Sequence, residues 1–245
     1  MIDLTKLTPD ALAREPYNWA FVGGLFSPAD ASALARTFPR DHFKTIGGYD
    51  GEKGFQYEAR SLVGMGATEA THAGRLSEPW RRLMAELLSG EYRAAVSRVT
   101  GLDVSGLWME ANVSHYGERA WLGPHVDLED KVVTHVFYFN EVWAEQDGGC
   151  LTVLRSGDMK DVVKIVAPRV GNSAVLVRSQ NSWHAVSPVR EGCRTSRRSL
   201  AVTFYRPGSL STMWPEGDAT PLHDYDSKLH KLGEWARGVR RRLAR

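Results

Sequence analysis

The sequence predicts a mainly β protein with supporting α-helices, in which N-terminal helices cover one sheet of a β-sandwich or barrel. Residues 1–104 are expected to be mainly helical support with a lid loop, because helix-start signals are concentrated there. From about residue 106 the hydrophobic period changes to two, which is typical of strands. Because the strands follow the helices instead of alternating with them, a doubly wound parallel sheet is not expected. The chain has no internal repeat and no low-complexity linker, so we predict a single domain over residues 1–245.

Two helical segments are predicted before the strands, over residues 27–38 and 77–101. Each opens with a serine that could cap the helix and a proline in the first turn. The second segment is expected to break near Gly90 and to end at Gly101. Between the two, residues 45–63 carry Asp-Gly and other glycines between β-prone ends, which indicates a hairpin or a mobile loop.

The predicted strands are short runs rich in β-branched and aromatic residues, separated by turn residues. They are LWMEANVSHY (107–116), KVVTHVFYFN (131–140), CLTVL (150–154), VVKIV (162–166), SAVLV (173–177) and RSLAVTFYR (198–206). Residues 105–210 are therefore expected to form the catalytic or binding core. Residues 211–245 are expected to be an extension that ends in a basic amphipathic helix.

Composition is that of a soluble globular protein, with 42% hydrophobic and 24% charged residues. No apolar run reaches the ~20 residues of a membrane span, and MIDLTKLTPD lacks the apolar segment of a signal peptide. We therefore expect a cytoplasmic protein without a membrane partner. Cys150 and Cys193 are too few for a disulfide framework and are expected to be small hydrophobes. The basic C-terminal segment, residues 228–245, is interpreted as a docking helix with a solvated basic face rather than a nucleic-acid or membrane site.

The segment GPHVDLED, residues 123–130, contains a possible pair of metal ligands. In an extended strand residues i and i+2 share a face, so His125 and Asp127 can present a nitrogen and an oxygen donor side by side. A third ligand is needed, and His184, 57 residues after Asp127, is the best candidate. The other histidines lie in expected loops or helices, or in strands out of phase with the interior: His42, His72, His115, His135, His223 and His230. Two histidines and a carboxylate form the facial triad of non-haem iron(II) oxygenases.

Further motifs follow in order around these residues, and with them the chain resembles the Fe(II)/2-oxoglutarate-dependent dioxygenases, prolyl-hydroxylase-like branch. The resemblance covers about residues 106–206. Its motifs are NVSHYGERAWLGPHVD with the His-x-Asp pair, HVFYFN, DGGCLTVL, SWHAVSPVREG with the distal histidine, and the basic start of RRSLAVTFYR. The resemblance implies a double-stranded β-helix, or jelly roll, flanked by the N-terminal helices and a C-terminal helix.

The resemblance also implies the chemistry. Fe(II) held by His125, Asp127 and His184, 2-oxoglutarate as cosubstrate and O2 would hydroxylate an unactivated C–H bond, with release of succinate and CO2. Ascorbate is a candidate reductant. Because Asp127 is present where radical halogenases carry Gly or Ala, hydroxylation or a related oxidation such as desaturation or cyclisation is expected.

A buried basic residue should bind the far carboxylate of 2-oxoglutarate, since a guanidinium offers the matching bidentate fork. We predict Arg198, because it opens a strand whose alternate residues, Leu200, Val202 and Phe204, are expected to line an apolar interior. Arg197 would then point to the opposite face, and Arg194 is the alternative suggested by spacing in close relatives. Tyr116 and Tyr138 are implied to bond the same carboxylate. Asn112 is implied to lie near the cosubstrate or substrate.

The substrate is expected to be a small metabolite, amino-acid-derived or a natural-product intermediate, with the 45–55 loop as a lid. Candidate substrate contacts are Trp121, Tyr57, Arg60 and Trp183. The alternatives are a protein side-chain hydroxylase, a nucleic-acid demethylase, a zinc hydrolase using the same three ligands, and a non-catalytic jelly-roll module. No base-stacking aromatic cluster adjoins a basic stripe, so nucleic acid is not the expected partner. The sequence predicts no oligomeric state.

Overall fold

A computed structural model describes residues 1–49, 54–210, 214 and 221–225. The predicted C-terminal helix over residues 228–245 lies outside this set. The helices of the described residues are α1 Pro28–Arg36, α2 Glu78–Leu87 and α3 Gly90–Thr100. The described strands are β1 Leu12–Ala13, β2 Trp19–Val22, β3 Lys44–Tyr49, β4 Gly54–Val63, β5 Trp108–Tyr116, β6 Trp121–His125, β7 Lys131–Tyr138, β8 Leu151–Leu154, β9 Val162–Val166, β10 Ser173–Val177, β11 His184–Val186 and β12 Arg197–Tyr205.

The helices begin and end near the predicted signals, but Ser77 makes no capping hydrogen bond to α2 and donates to Thr37 Oγ1 instead. The Ser27 side chain accepts a hydrogen bond from the backbone N–H of Asp30 and so caps α1. Residues 77–101 form two helices, because Ser89 interrupts the segment and its side chain caps α3. Gly101 adopts φ +73° and ends α3 in the left-handed conformation that glycine accommodates without strain. None of the helices in the described part of the chain is long and apolar enough to cross a membrane.

The strands form one curled antiparallel sheet in the order β1-β2-β10-β7-β12-β5-β4-β6-β11-β8-β9, with β3 paired to β4. The run from β2 to β4 makes the larger wall of the jelly roll, and β6, β11, β8 and β9 make the smaller wall. The β3–β4 hairpin confirms the prediction for residues 45–63, apart from its tip at 50–53, which is not described. Because β4 also pairs with β6, the hairpin joins the two walls.

The two faces of the larger wall differ in composition. Its outer face packs against α2 and α3: Tyr92 lies 6.2 Å from the Phe204 ring, and Trp80 lies 4.7 Å from the Phe139 ring. Leu200, Val202 and Phe204 of β12 belong to this buried outer core. Helices that exclude water from the outer face stabilise it by hydrophobic burial.

The expectation that Leu200, Val202 and Phe204 line the barrel interior is therefore wrong. The apolar residues of β12 face the helices, because that contact is where the sheet buries most of its hydrocarbon. The alternate residues of β12 face the interior, which is more polar. The alternate apolar residues of this strand therefore form its helix-covered face and do not line the barrel lumen.

A tight turn at residues 147–150 leads into β8. Gly148 has φ +69°, and a Cβ at this position would lie 1.9 Å from the carbonyl oxygen of Pro188. Only glycine fits this close approach. The following Cys150 is buried and Cys193 is half-buried, and both are free, as expected.

Candidate metal centre and cosubstrate cavity

Strand pairing brings the predicted metal ligands together. His125 ends β6 and His184 begins β11, and the two residues are register partners in the smaller wall. Asp127 follows β6 by two residues. One ligand atom from each of the three side chains lies within 4.8 Å of the others, so the group could hold one metal ion.

Both imidazoles are oriented by the backbone. His125 Nδ1 lies 2.9 Å from the carbonyl oxygen of Gly123, and His184 Nδ1 lies 2.9 Å from that of Ser182. Because a carbonyl oxygen only accepts hydrogen bonds, each Nδ1 carries the proton and each Nε2 presents a lone pair. Such outer contacts fix the tautomer and ring orientation of a metal ligand.

The Asp127 carboxylate is held by two neighbours on β7. Lys131 Nζ donates to Oδ1 at 2.7 Å, and Thr134 Oγ1 donates to Oδ2 at 3.1 Å. Burial alone would raise the pKa of Asp127, but the Lys131 ammonium and the two histidines hold it well below its usual range. The carboxylate is therefore ionised and oriented at neutral pH.

A cavity of about 320 Å³ opens over these three residues, between the two walls of the jelly roll. Its polar lining comes from the inner faces of β5, β7 and β12: Glu110, Asn112, Ser114, Tyr116, Lys131, Thr134, Arg197, Ser199, Thr203 and Tyr205. The β3–β4 hairpin contributes Ile46, Phe55 and Tyr57 to the wall. The cavity therefore combines the candidate metal ligands with hydrogen-bonding groups from three adjacent strands.

Arg197 is the arginine of β12 that faces this cavity. It is 2% exposed, and its guanidinium lies 4.6 Å from the Tyr116 ring centroid and 5.4 Å from that of Tyr138. Its Nη1 donates to Ser199 Oγ at 2.7 Å. Its Nε has no hydrogen-bond partner among the described residues. A buried guanidinium with unused donors is suited to a carboxylate ligand.

The structure reverses the predicted orientation of the two arginines. The Arg198 side chain points away from the cavity, with Nη1 3.4 Å from the Ala35 carbonyl oxygen and its guanidinium 5.6 Å from the Phe38 ring. The alternative, Arg194, is exposed. The physical reason is the alternation of faces along β12, because Arg198 lies two residues before Leu200 and so shares its helix-covered face.

Tyr116, Tyr138 and Asn112 lie in or against the cavity as predicted. Tyr116 stacks on Tyr57 with ring centroids 4.8 Å apart, and burial raises the pKa of Tyr116 to about 12 although Arg197 lowers it. Among the described residues, neither the Tyr138 hydroxyl nor Asn112 Oδ1 has a hydrogen-bond partner. Such buried polar atoms are costly without a partner, so they favour a polar ligand at this end of the cavity.

Of the four residues expected to contact the substrate, Tyr57 alone is in the described lining of the cavity. Trp121 lies against Gly54 of the hairpin. Trp183 lies against Gly157. Arg60 is buried in an ion pair with Asp41. These three placements do not support the substrate contacts proposed from the sequence.

Sequence reasoning did not include Glu110, Tyr205, Lys131 and Thr134, which also line the cavity. The alternation within β5 could have identified Glu110, because residues two apart in a strand share a face. Glu110 therefore lies on the same face as Asn112, Ser114 and Tyr116. On β12 the corresponding signal is that alternate residues, including Ser199 and Thr203, are polar and share one face.

Comparisons with known proteins agree with this geometry. Residues 111–206 match the family model of the 2OG-Fe(II) oxygenase superfamily. By sequence, no curated protein matches the chain.

Three solved structures illustrate the shared fold. A prolyl-4-hydroxylase from Pseudomonas putida is 23% identical, with a TM-score of 0.54 over 77% of this chain and 92% of that one. AviO1 from Streptomyces viridochromogenes Tue57 is 12% identical, with a TM-score of 0.53 over 86% and 99%. A prolyl 4-hydroxylase from Phytophthora capsici is 19% identical, with a TM-score of 0.52 over 97% and 70%. Over residues 111–206 the chain is accordingly similar to the 2OG-Fe(II) oxygenase superfamily, and it shares the jelly-roll fold of these three solved structures.

Proposed function

We propose that the enzyme hydroxylates an unactivated C–H bond of a small metabolite, amino-acid-derived or a natural-product intermediate. The observation that carries the proposal is a single cavity with a His–Asp–His cluster on one side and a buried arginine on the other. A cavity with both a metal site and a carboxylate-binding site suits 2-oxoglutarate, whose 2-oxo acid end would chelate the metal and whose far carboxylate would bind the arginine.

His125, Asp127 and His184 would hold iron(II) through both Nε2 atoms and one carboxylate oxygen. The bound iron supplies the site at which O2 and 2-oxoglutarate react. The contacts of Gly123 and Ser182 keep both imidazoles oriented toward the ion. Thr134 and Lys131 fix the Asp127 carboxylate, so the ligand set is preorganised before the metal arrives.

Arg197 would bind the far carboxylate of 2-oxoglutarate, with Tyr116 and Tyr138 beside it. The free Nε of Arg197 and the unpartnered Tyr138 hydroxyl supply donors that suit an anionic oxygen. Asn112 supplies a further polar atom closer to the metal ligands. The donor set thus fits the cosubstrate, and the residues assigned to it are the inner-face residues of three adjacent strands.

The volume of the cavity supports a small substrate. At about 320 Å³ it lies near the lower end of the range of ligand pockets, about 300–1,000 Å³. This space has to accommodate the cosubstrate and the reacting part of the substrate together. Ile46, Phe55 and Tyr57 of the hairpin form a wall that would exclude water from the reaction.

The proposal is tested by anaerobic reconstitution with Fe(II), followed by titration with 2-oxoglutarate. We expect the weak visible absorption band of an iron–2-oxoglutarate chelate. Admission of O2, with ascorbate as reductant, should then give succinate in an amount that depends on 2-oxoglutarate.

A metabolite extract and a cell-derived peptide library serve as substrate sources, and succinate release above the uncoupled rate is measured for each. Stimulation by the extract with a +16 mass shift on a small molecule is the expected result. A protein lacking both the absorption band and succinate formation would overturn the proposed reaction. Stimulation by peptides alone would show that the enzyme is a protein side-chain hydroxylase.

A further inference from the structure

The side of the cavity formed by the β3–β4 hairpin and β6 is apolar. Ile46, Phe55 and Leu122 line it there, and Leu128, which follows β6, lines the same cavity. We infer that the substrate is an uncharged, largely apolar molecule that accepts one hydrogen bond from the Tyr57 hydroxyl. This inference rests on the proposed function, because it names the substrate class of the same site.

Strand register joins these side chains into one surface. Phe55 of β4 is paired with Leu122 of β6, and Leu122 is also paired with Val186 of β11, which lines the cavity as well. Tyr57, two residues after Phe55, is paired with Ile46 of β3. Because paired positions place their side chains beside each other on one face of a sheet, the apolar surface crosses four strands. Since β6 and β11 also carry the two histidines of the metal site, the surface adjoins that site.

Leu128 extends the apolar lining to the opening of the cavity. It lines the cavity although the residue is 51% exposed, so it lies where the cavity meets solvent. An apolar substrate that covers Leu128 would remove its hydrocarbon from water, which is favourable. A charged group in contact with this leucine would lose part of its hydration and gain no hydrogen bond from it.

The charged groups of the described lining have partners within the protein or within the proposed reaction. Lys131 Nζ donates to Asp127 Oδ1 at 2.7 Å. The Tyr205 hydroxyl donates to Glu110 Oε2 at 3.1 Å. Arg197 is assigned to the far carboxylate of 2-oxoglutarate. The apolar surface, and not a charge, is therefore the feature of this lining that would select the substrate.

Tyr57 supplies a polar group within the apolar surface. Its ring stacks on the Tyr116 ring, with centroids 4.8 Å apart and planes 12° from parallel, so the phenol is held in position. Its hydroxyl makes no hydrogen bond with the other described residues. Burial raises the pKa of Tyr57 well above its usual value, and Tyr116, Asp127 and Glu110 raise it further. The hydroxyl is therefore a neutral donor suited to a carbonyl, hydroxyl or ether oxygen of the substrate.

Fractions of a metabolite extract test the substrate class by turnover. The extract is divided by ion exchange and then by reversed-phase chromatography, and succinate release above the uncoupled rate is measured for each fraction. The compounds that pass the ion exchangers and are retained by the reversed phase should stimulate release at least 10-fold more than the charged fractions. Stimulation by the charged fractions alone would overturn the inference.

Defined probes test the same preference by binding. The N-acetyl methyl esters of leucine, phenylalanine and tryptophan are uncharged, their N-acetyl acids are anionic, and their methyl esters with a free amino group are cationic. Isothermal calorimetry is carried out anaerobically, with and without Fe(II) and 2-oxoglutarate. At least one uncharged ester should bind at least 10-fold more tightly than both of its charged counterparts. Tighter binding of a charged member in every set would contradict the inference.

Tyr57→Phe tests the hydrogen bond. The variant keeps the stacked ring and removes the hydroxyl, so the uncharged ester should bind it at least 5-fold more weakly. The dissociation constant of 2-oxoglutarate is measured beside it, because a hydroxyl that binds the cosubstrate would raise that constant instead. An increase for 2-oxoglutarate without one for the ester would overturn the assignment of this hydroxyl to the substrate.

Leu128→Asn tests the apolar surface. It places an amide at an exposed position, so the uncharged ester should bind at least 5-fold more weakly. Val142→Asn is the matched control, because Val142 is 82% exposed and is not among the described lining residues of the cavity. It should bind the ester as the wild type does, and equal effects of the two variants would count against the apolar surface. Thermal melts check that each variant is folded, and the wild-type preference decides if one is not.

Binding and turnover separate failure of the inference from failure of the proposed function. A preference for uncharged probes in a protein that forms no succinate would support the inference and overturn the reaction. Succinate release that only charged fractions stimulate would overturn the inference alone. Failure of every uncharged probe to bind, together with no stimulation by the uncharged fraction, would overturn it as well.

Discussion

The inner and outer faces of β12 belong to one nine-residue strand and have different partners. The outer face presents Leu200, Val202 and Phe204 to the helices. The inner face presents Arg197, Ser199 and further polar residues to the cavity. The hydrocarbon of this strand stabilises the fold, and its polar groups are available for ligands.

In this part of the chain the hydrophobic pattern is therefore set by contact with the helices and not by the barrel interior. Large aromatic and aliphatic side chains are buried where two layers meet. A lumen that binds a polar cosubstrate keeps hydrogen-bonding groups instead. One step of strand register therefore decides whether an arginine supports the fold or binds a ligand.

Removal of a metal ligand should give the largest effect and should act on function alone. In His184→Ala the affinity for Fe(II) should fall more than 100-fold, because contacts outside the ligand set are already worth about 10–100-fold in metal affinity. The measurement is anaerobic competition with a chelator.

The matched control is His135→Ala, a buried histidine on the outer face. Its iron affinity should stay within a few-fold of the wild type while its melting temperature falls. Equal loss of iron from both variants would contradict the assignment of the metal site.

Truncation of the outer face should act on stability. Leu200→Ala should lower the free energy of unfolding by about 2–5 kcal/mol, because Leu200 is fully buried in the core beneath the helices. Its neighbour Ser199→Ala should cost about 1 kcal/mol, the worth of one hydrogen bond. Urea denaturation measures both. A larger loss in Ser199→Ala than in Leu200→Ala would remove the distinction between the faces.

Acid should destabilise the fold through the outer face. Burial lowers the pKa of His135 to about 3, against about 6.5 in an unfolded chain. The unfolded state therefore binds the proton first, so this contribution to stability is complete above pH 6.5 and is lost as the pH falls toward 3. At pH 5 the loss is about 2 kcal/mol.

Urea denaturation at pH 7 and pH 5 measures this effect. His135→Leu should lose less stability between these two pH values than the wild type, whatever its stability at pH 7. The exposed His72 provides the control, His72→Gln, which should keep the wild-type dependence. An unchanged acid dependence in His135→Leu would show that other groups are responsible.

Much of the fold could be predicted from the sequence. The Ser-Pro helix starts, the break before Gly90 and the period-two strands are local signals, and each is found where it was expected. The grouping of His125 and Asp127 could also be predicted from their i, i+2 spacing, although Asp127 lies two residues beyond the end of β6 and not within the strand. The short strands β1 and β2 were missed, since their runs are brief and lie within residues 1–104, which were expected to be mainly helical.

The arginine that we propose to bind the cosubstrate could not be chosen from local pattern. Arg197 and Arg198 are adjacent, and the choice depends on which face of β12 the helices cover, a fact of tertiary packing. Glu110 was missed for a related reason. A glutamate in a β-run is usually on a solvated face, and only the closure of the jelly roll shows that this face is a cavity.

The paired variants Arg197→Ala and Arg198→Ala show which face of β12 binds 2-oxoglutarate. The measurement is the dissociation constant of 2-oxoglutarate from the anaerobic Fe(II) enzyme, followed by the visible absorption band. Arg197→Ala should raise it at least 100-fold, because loss of one partner of a buried ion pair costs about 3–5 kcal/mol. Arg198→Ala should change it less than about 3-fold, since Arg198 contacts Ala35 and Phe38 outside the cavity. The reverse order, or equal effects, would contradict the assignment of the inner face of β12 to cosubstrate binding.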